Sequence, residues 1–243
     1  MSAVAGNARI RWWVAIPLVV VPLVAVLMVV SVIPPRWWSP IVPDDPAVRA
    51  RAADLEQDVT AAVHKVRVDP EPWGFLVSDE QANEWLATRL PAWIEHDERL
   101  EWPSGIKVVQ VRFVKDEIEV AASSGEGPVW RARFNATLVA NVCRLRPVAA
   151  GVGRLPFPGI WVRGLVKLIP EGTFGVDGSI DLPAEFELVD GRVVRLLDFE
   201  LADGDLGVLF KTLSAREFAQ DPQLEVSMDN VTQDHATRTH DER

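Results

Sequence analysis

The chain has 243 residues, 48% of them hydrophobic, and a net charge of −10, enough to bury one sizeable core but not a second once the polar ends are set aside. The acidic balance, with no run of Lys or Arg, argues against a nucleic-acid partner, whose phosphate backbone needs a concentrated basic face. The single cysteine, Cys143, excludes an intramolecular disulfide and a Cys-based zinc site.

Residues 1–11 form a short tail. The stretch WWVAIPLVVVPLVAVLMVVSVI, residues 12–33, is uncharged throughout and would rise about 33 Å as a helix, the thickness of a hydrocarbon core. It predicts a transmembrane helix. Trp12, Trp13, Trp37 and Trp38 fall where aromatic belts sit, and Arg11 and Arg36 lie just outside them. Pro17 and Pro22 are tolerated in a membrane helix, and no A-x-A-like site follows that would mark a cleaved signal peptide. Basic residues flank both ends and do not decide orientation. Because long domains translocate largely regardless of charge, the expectation is an inner (cytoplasmic) membrane protein, single-pass, with its carboxy-terminal domain extracytoplasmic.

PPRWWSPIVPDDP, residues 34–46, holds five prolines and predicts a stiff spacer lifting the domain off the bilayer. An α+β domain over 47–218 follows. Asp45 is a fitting N-cap with Pro46 at the first helical position, and Val48, Ala52, Leu55, Val59, Ala62 and Val66 recur at helical spacing. That stripe suits weak self-association through 47–66 as a short coiled coil, or packing on its own domain; about three heptads are marginal for the first. Ser78 and Gln81 have the spacing of a capping box, opening a helix with Ala82, Trp85, Leu86 and Leu90 on one face, which Pro91 stops or kinks.

From Ile106 the period changes to two. Residues 106–114 and 117–122, joined at Lys115-Asp116, predict a hairpin with one wet face. Then Trp130, Ala132, Phe134, Ala136, Leu138, Ala140 and Val142 alternate with mostly polar residues, predicting one strand of about 43 Å that must bend. Pro158 suits the start of a helix with Ile160, Trp161, Leu165, Leu168 and Ile169 on its apolar side. Residues 174–182, 184–189 and 192–201 read as strands, the last two closed by Asp190-Gly191, and 203–219 as a last helix. Residues 219–243 are polar and patternless, the signature of a disordered tail.

Reactive groups do not converge. His235 and His240 lie in the tail, His64 and His96 sit at helix ends, and the EHDE run at 95–98 has no second cluster with metal-ligand spacing. Ser123-Ser124-Gly125 lacks the turn of a hydrolase nucleophile, and there is no glycine-rich phosphate loop. The expectation is no catalysis, no metal and no cofactor.

A membrane anchor, then VSDEQANEWLATRLP (77–91), two alternating strands, a long strand and VGRLPFPGIW (152–161) together resemble the YpmS-like single-pass bacterial envelope proteins. More distantly the order is similar to the tubular lipid-binding (TULIP) superfamily. The matching residues are Ser78, Glu80, Gln81, Asn83 and Leu86, then Gly153, Leu155, Pro156 and Pro158. The resemblance implies a helix cradled in a strongly curved antiparallel sheet, with an apolar groove for acyl chains. The alternation from Trp130 independently leaves Ala132, Ala136 and Ala140 as recesses between larger side chains, filled either by the helix bearing Trp85 and Trp93 or by a lipid chain. The expected lipid-binding set is Trp130, Ala132, Phe134, Ala136, Leu138, Ala140, Phe157, Trp161, Arg163 and Lys167, the last two meeting a headgroup or standing as solvated charges on a core helix. The leading expectation is a protein that binds or transfers membrane lipid. The alternative is a tethered assembly module that recruits an envelope protein partner.

Overall fold

The computed structural model describes residues 7–67, 71–96, 105–125, 127–139, 141–157, 178–214 and 218, with side chains of the first helix described from Val20. Ala140, Trp161, Arg163 and Lys167, the helix expected from Pro158 and the tail from 219 lie outside the described residues.

Helix α1 runs over Asn7–Val32. Among the described residues, however, no helix is long and apolar enough to cross a membrane. The described side chains of α1 cover the segment Val20–Val32. Within it, Val20, Val21, Leu23, Val24, Val26, Leu27, Met28, Val29 and Val32 are all exposed. An apolar surface on every side of a helix, uncovered by protein, is unlike the one-sided stripe of a globular helix.

The spacer does not stand free. At its start, the backbone N–H of Arg154 donates to the Val30 carbonyl at 3.1 Å, and Arg154 Nε donates to the Pro34 carbonyl at 3.1 Å. Further on, Gln110 takes the backbone of Ser39 from both sides: its Oε1 accepts from the Ser39 N–H at 3.2 Å and its Nε2 donates to the Ser39 carbonyl. Pro35 between them is buried. Residues 34–39 are therefore a strap fastened at each end.

Helix α2 (Pro46–His64) starts as the sequence predicts, with Asp45 Oδ1 accepting from the Ala47 N–H at 2.8 Å. Val48 and Ala52 are buried, and the stripe packs on its own domain, against helix α3 (Asp79–Thr88). Arg51 Nε bonds both oxygens of the buried Glu84, at 2.9 and 3.0 Å. At the far end, Arg192 donates to the carbonyls of His64 and Lys65, a cation on the negative end of the helix. The capping box at Ser78 is present in both directions, and the helix breaks at Arg89, two residues before Pro91, which is the second residue of helix α4 (Leu90–His96).

The strands form two antiparallel sheets. One has the order β1 (Trp73–Ser78), β10 (Asp205–Leu213), β9 (Val193–Ala202), β8 (Glu185–Glu187). The other has the order β2 (Val108–Val114), β3 (Glu117–Ser123), β4 (Trp130–Val139), β5 (Val142–Val152), β6 (Leu155–Phe157), with β7 (Ile180–Pro183) also on β5. The α+β class with antiparallel sheets packed on helices thus stands. The strong curvature does not: neither sheet closes or curls.

Several expected elements change. The single long strand is two, because the chain turns back at Asn141 and Val139 faces Val142 across a tight hairpin. The loop shifts the alternation by one, so Cys143 and Leu145 continue the apolar face and Val142 lies opposite Val139 on the other; an apolar residue at 142 hides that shift in the sequence. The register shifts opposite Pro147, leaving Val148 as a bulge, a position that tolerates proline's missing N–H. The expected last helix over 203–219 is mostly strand β10, preceded by an Asp203-Gly204 turn in which Gly204 has φ 91°. The β8–β9 loop is three residues, Val189–Gly191, closed by the Leu188 N–H on the Arg192 carbonyl at 2.7 Å, rather than two.

The sheets meet where hairpin tips interlock: the Gly204 N–H donates to the Phe113 carbonyl at 3.0 Å, and the Lys115 N–H donates to Asp203 Oδ1 at 3.2 Å. Helix α3 closes the open edge of β2. Asn83 Nδ2 donates to the Val111 carbonyl at 2.8 Å while its Oδ1 accepts from the Val111 N–H at 2.6 Å. One side chain thereby stands in for a neighbouring strand.

Candidate functional site

The pairing registers sort the six-stranded sheet into two faces of opposite character. Directly opposed residues share a face, so Val109, Ala122, Trp130, Val152 and Leu155 make one row across five strands. Val111, Val120, Ala132, Ala150 and Phe157 make the next, and Phe113, Ile118, Phe134 and Pro147 the third. Beyond the bulge, Ala136, Leu145 and Ile180 share a row, and Leu138, Cys143 and Leu182 another. Every member of these five rows is apolar. From Trp130 to Leu138 the face runs about 26 Å, more than the ~15 Å of one bilayer leaflet.

The other face carries Gln110, Glu119, Arg131, Arg133, Asn135, Thr137 and Arg144. Its charges are internally matched: Arg131 Nη1 bonds Glu119 at 3.0 Å, Arg133 Nη1 bonds Glu117 at 3.1 Å, and Arg144 bonds both oxygens of Asp181 at 2.7 Å.

Burial runs opposite to polarity over much of this sheet. On the polar face Gln110, Glu119, Ala121, Ser123 and Gly151 are buried. On the apolar face only Phe113 and Val152 are; Ala132, Phe134, Ala136, Leu138 and Phe157 are half-buried, and Trp130 is 56% exposed. The hairpin therefore has its wet face partly covered, close to the residue that fastens the strap, and its greasy face partly open. Six of the ten expected site residues, Trp130, Ala132, Phe134, Ala136, Leu138 and Phe157, lie on this one face. The helix expected to fill the alanine recesses goes elsewhere: α3 packs on α2 and along β2, with Trp85 and Trp93 edge-to-face at 6.1 Å.

The end of the face that carries Trp130 is also where α1 arrives. The Gly153 N–H donates to the Val129 carbonyl at 2.7 Å, and Gly153 is buried with φ 54° against the backbone of Ser31 and Ile33, where no Cβ fits. The sequence pattern marks Gly153 but not Arg154 or Gln110. A glutamine alternating with valines reads as a solvated position, and only tertiary structure shows what it holds.

Comparison with protein-family models, with curated proteins and with solved structures finds no match.

The other reactive side chains among the described residues lie apart from the apolar face or are unsuited to attack. Among the described residues no group of three or more His, Cys, Asp and Glu could hold a metal. Burial raises the Cys143 thiol, which keeps it protonated and a poor nucleophile. His96 Nδ1 lies 2.7 Å from the Ala92 carbonyl, one helical turn back.

Proposed function

We propose that this protein is a membrane-attached envelope protein that binds or transfers lipid on the apolar face of its six-stranded sheet, without catalysis. The observation that carries this reading is the half-open apolar surface, five strands wide, on which Trp130, Ala132, Phe134, Ala136 and Leu138 lie in register with Val152, Ala150, Pro147, Leu145 and Cys143. A soluble domain gains by covering such a surface, and a contiguous exposed apolar patch marks a binding or membrane surface. The all-round apolar exposure of α1 from Val20 to Val32 supports attachment to a bilayer, as does the resemblance to single-pass envelope proteins.

The test uses the full chain in its native membrane, with a photoactivatable phenylalanine analogue in place of Phe134. Illumination should attach phospholipid to the protein, and the same analogue at exposed Val42 should attach far less. Attachment of a protein at position 134, with no lipid, would instead establish the assembly-module reading.

A further inference from the structure

Four observations meet at one end of the six-stranded sheet. The first is the fastening of α1, whose last-turn carbonyl at Val30 is taken by the Arg154 N–H. A helix end normally keeps several unsatisfied carbonyls, and here the domain's own backbone turn supplies a donor and the Arg154 side chain a positive charge. The second is the fit at Gly153, whose backbone lies so close to Ser31 and Ile33 that a side chain cannot enter. Helix and sheet therefore touch with no freely swinging linker between them. The third is Trp130, 56% exposed at the first position of β4 and in the same row as Val152 and Leu155. The fourth is charge: Arg36, Lys107 and Arg154 are all exposed, Arg36 in the strap beside Pro35, Lys107 just before β2, and Arg154 in the β5–β6 turn.

We infer that this end of the sheet, comprising Trp130, the exposed Ser124 and the Gly153-Arg154 turn, is a docking surface for the bilayer, held at the headgroup–acyl boundary by its fastening to α1. The occupant is anionic phospholipid. An exposed tryptophan with an apolar body and a polar N–H suits that boundary, and the three cations would sit within a Debye length of the phosphates. The apolar rows begin at this rim, so an acyl chain leaving the bilayer would meet Trp130 and Leu155 first. The inference rests on the lipid-binding reading for its purpose, but its geometry is tested separately.

The test measures depth. In a Cys143→Ala background, the full chain is reconstituted in vesicles of phosphatidylcholine with phosphatidylglycerol and carries a spin label at Ser124→Cys or at Lys115→Cys. Ser124 is exposed in the rim loop, while Lys115 lies at the opposite end of β2, about 23 Å away at 3.3 Å per residue. The label at 124 should be reached by oxygen in preference to a water-soluble nickel reagent, and the label at 115 should show the reverse. Gly153→Val, which breaks the fastening, should move the label at 124 into water while α1 stays with the vesicles. Equal aqueous accessibility at both positions overturns the inference, as does failure of the chain to associate with the vesicles. If the label at 124 lies at the boundary and no lipid attaches at position 134, the docking surface stands and the lipid-carrying role falls. Lipid attachment at 134 with an aqueous label at 124 removes the docking surface and keeps the lipid-carrying role.

Discussion

Asp79 occupies the first turn of α3, and its Oδ1 accepts the Phe113 N–H at 2.6 Å, finishing the edge of β2 that Asn83 begins. Burial pushes its carboxyl above the usual range, and the Phe113 N–H and the nearby Arg112 only partly offset that; Asp205 adds to the rise. A carboxyl whose folded-state pKa lies above its unfolded value contributes stability that is complete below the unfolded value and is lost as pH rises through the folded one. Asp79→Asn keeps an oxygen for Phe113 and removes the titration. Its melting temperature relative to the native chain should therefore climb as pH is raised from below the carboxylate range to neutrality. A difference that stays flat across that window would show that Asp79 does not carry the effect. The role of Asn83 is visible in sequence only as part of a motif, because its partner, the Val111 backbone, is 28 residues away.

The elements legible in the sequence are the local ones. The Asp45 cap, the capping box, the break near Pro91 and the Lys115-Asp116 turn each rest on residues within a few positions of one another, and the structure has them all. The elements that are not legible are paired at long range. Strand β5 alternates only over Cys143–Pro147, in the opposite parity to β4, and is apolar throughout from Val148 to Val152, yet it bonds to β4, β6 and β7. Strand β1 is six residues with Gly74 near its start, and its register is set wholly by β10, more than 120 residues later. Gly74 lies so close to the Val208 carbonyl that a side chain would not fit. Across that pair Trp73 and Phe210 lie 5.1 Å apart, Arg67 sits 4.3 Å over the Trp73 ring, and Trp73 Nε1 donates to the Thr212 hydroxyl at 3.0 Å. Strand β10 is thus the element on which the smaller sheet depends. Ending the chain after Ala202 should abolish hydrogen-exchange protection in β1 and β9, while the β2–β5 ladder keeps its own. Undiminished protection of Phe75 and Val77 in the shortened chain would refute that dependence.

The molecule as a whole joins two sheets through interlocked hairpin tips at one end and fastens an apolar helix at the other. The candidate site is half legible in the sequence: the apolar face follows from alternation, whereas its partial openness does not, because exposure depends on where α3 and the strap go. If the chain is membrane-attached as proposed, the side on which the domain lies is a property of the whole chain. With the amino terminus inside, protease added to intact spheroplasts should remove the domain while a cytoplasmic marker survives. Digestion only after lysis would reverse that arrangement.

On the proposed membrane-attached reading, the strap over residues 34–39 bears on how often the domain would meet a bilayer. A domain on a free linker does so at an effective concentration set by linker length, falling as the linker grows. Here Arg154 and Gln110 fix the chain between Pro34 and Ser39, so the length of the segment beyond Ser39 does not enter that relation. Residues added after Ser39, in the stretch leading to Asp45, would lengthen only the path to α2. The encounter between the apolar face and the bilayer would keep the same frequency, because the clasp and not the tether defines it.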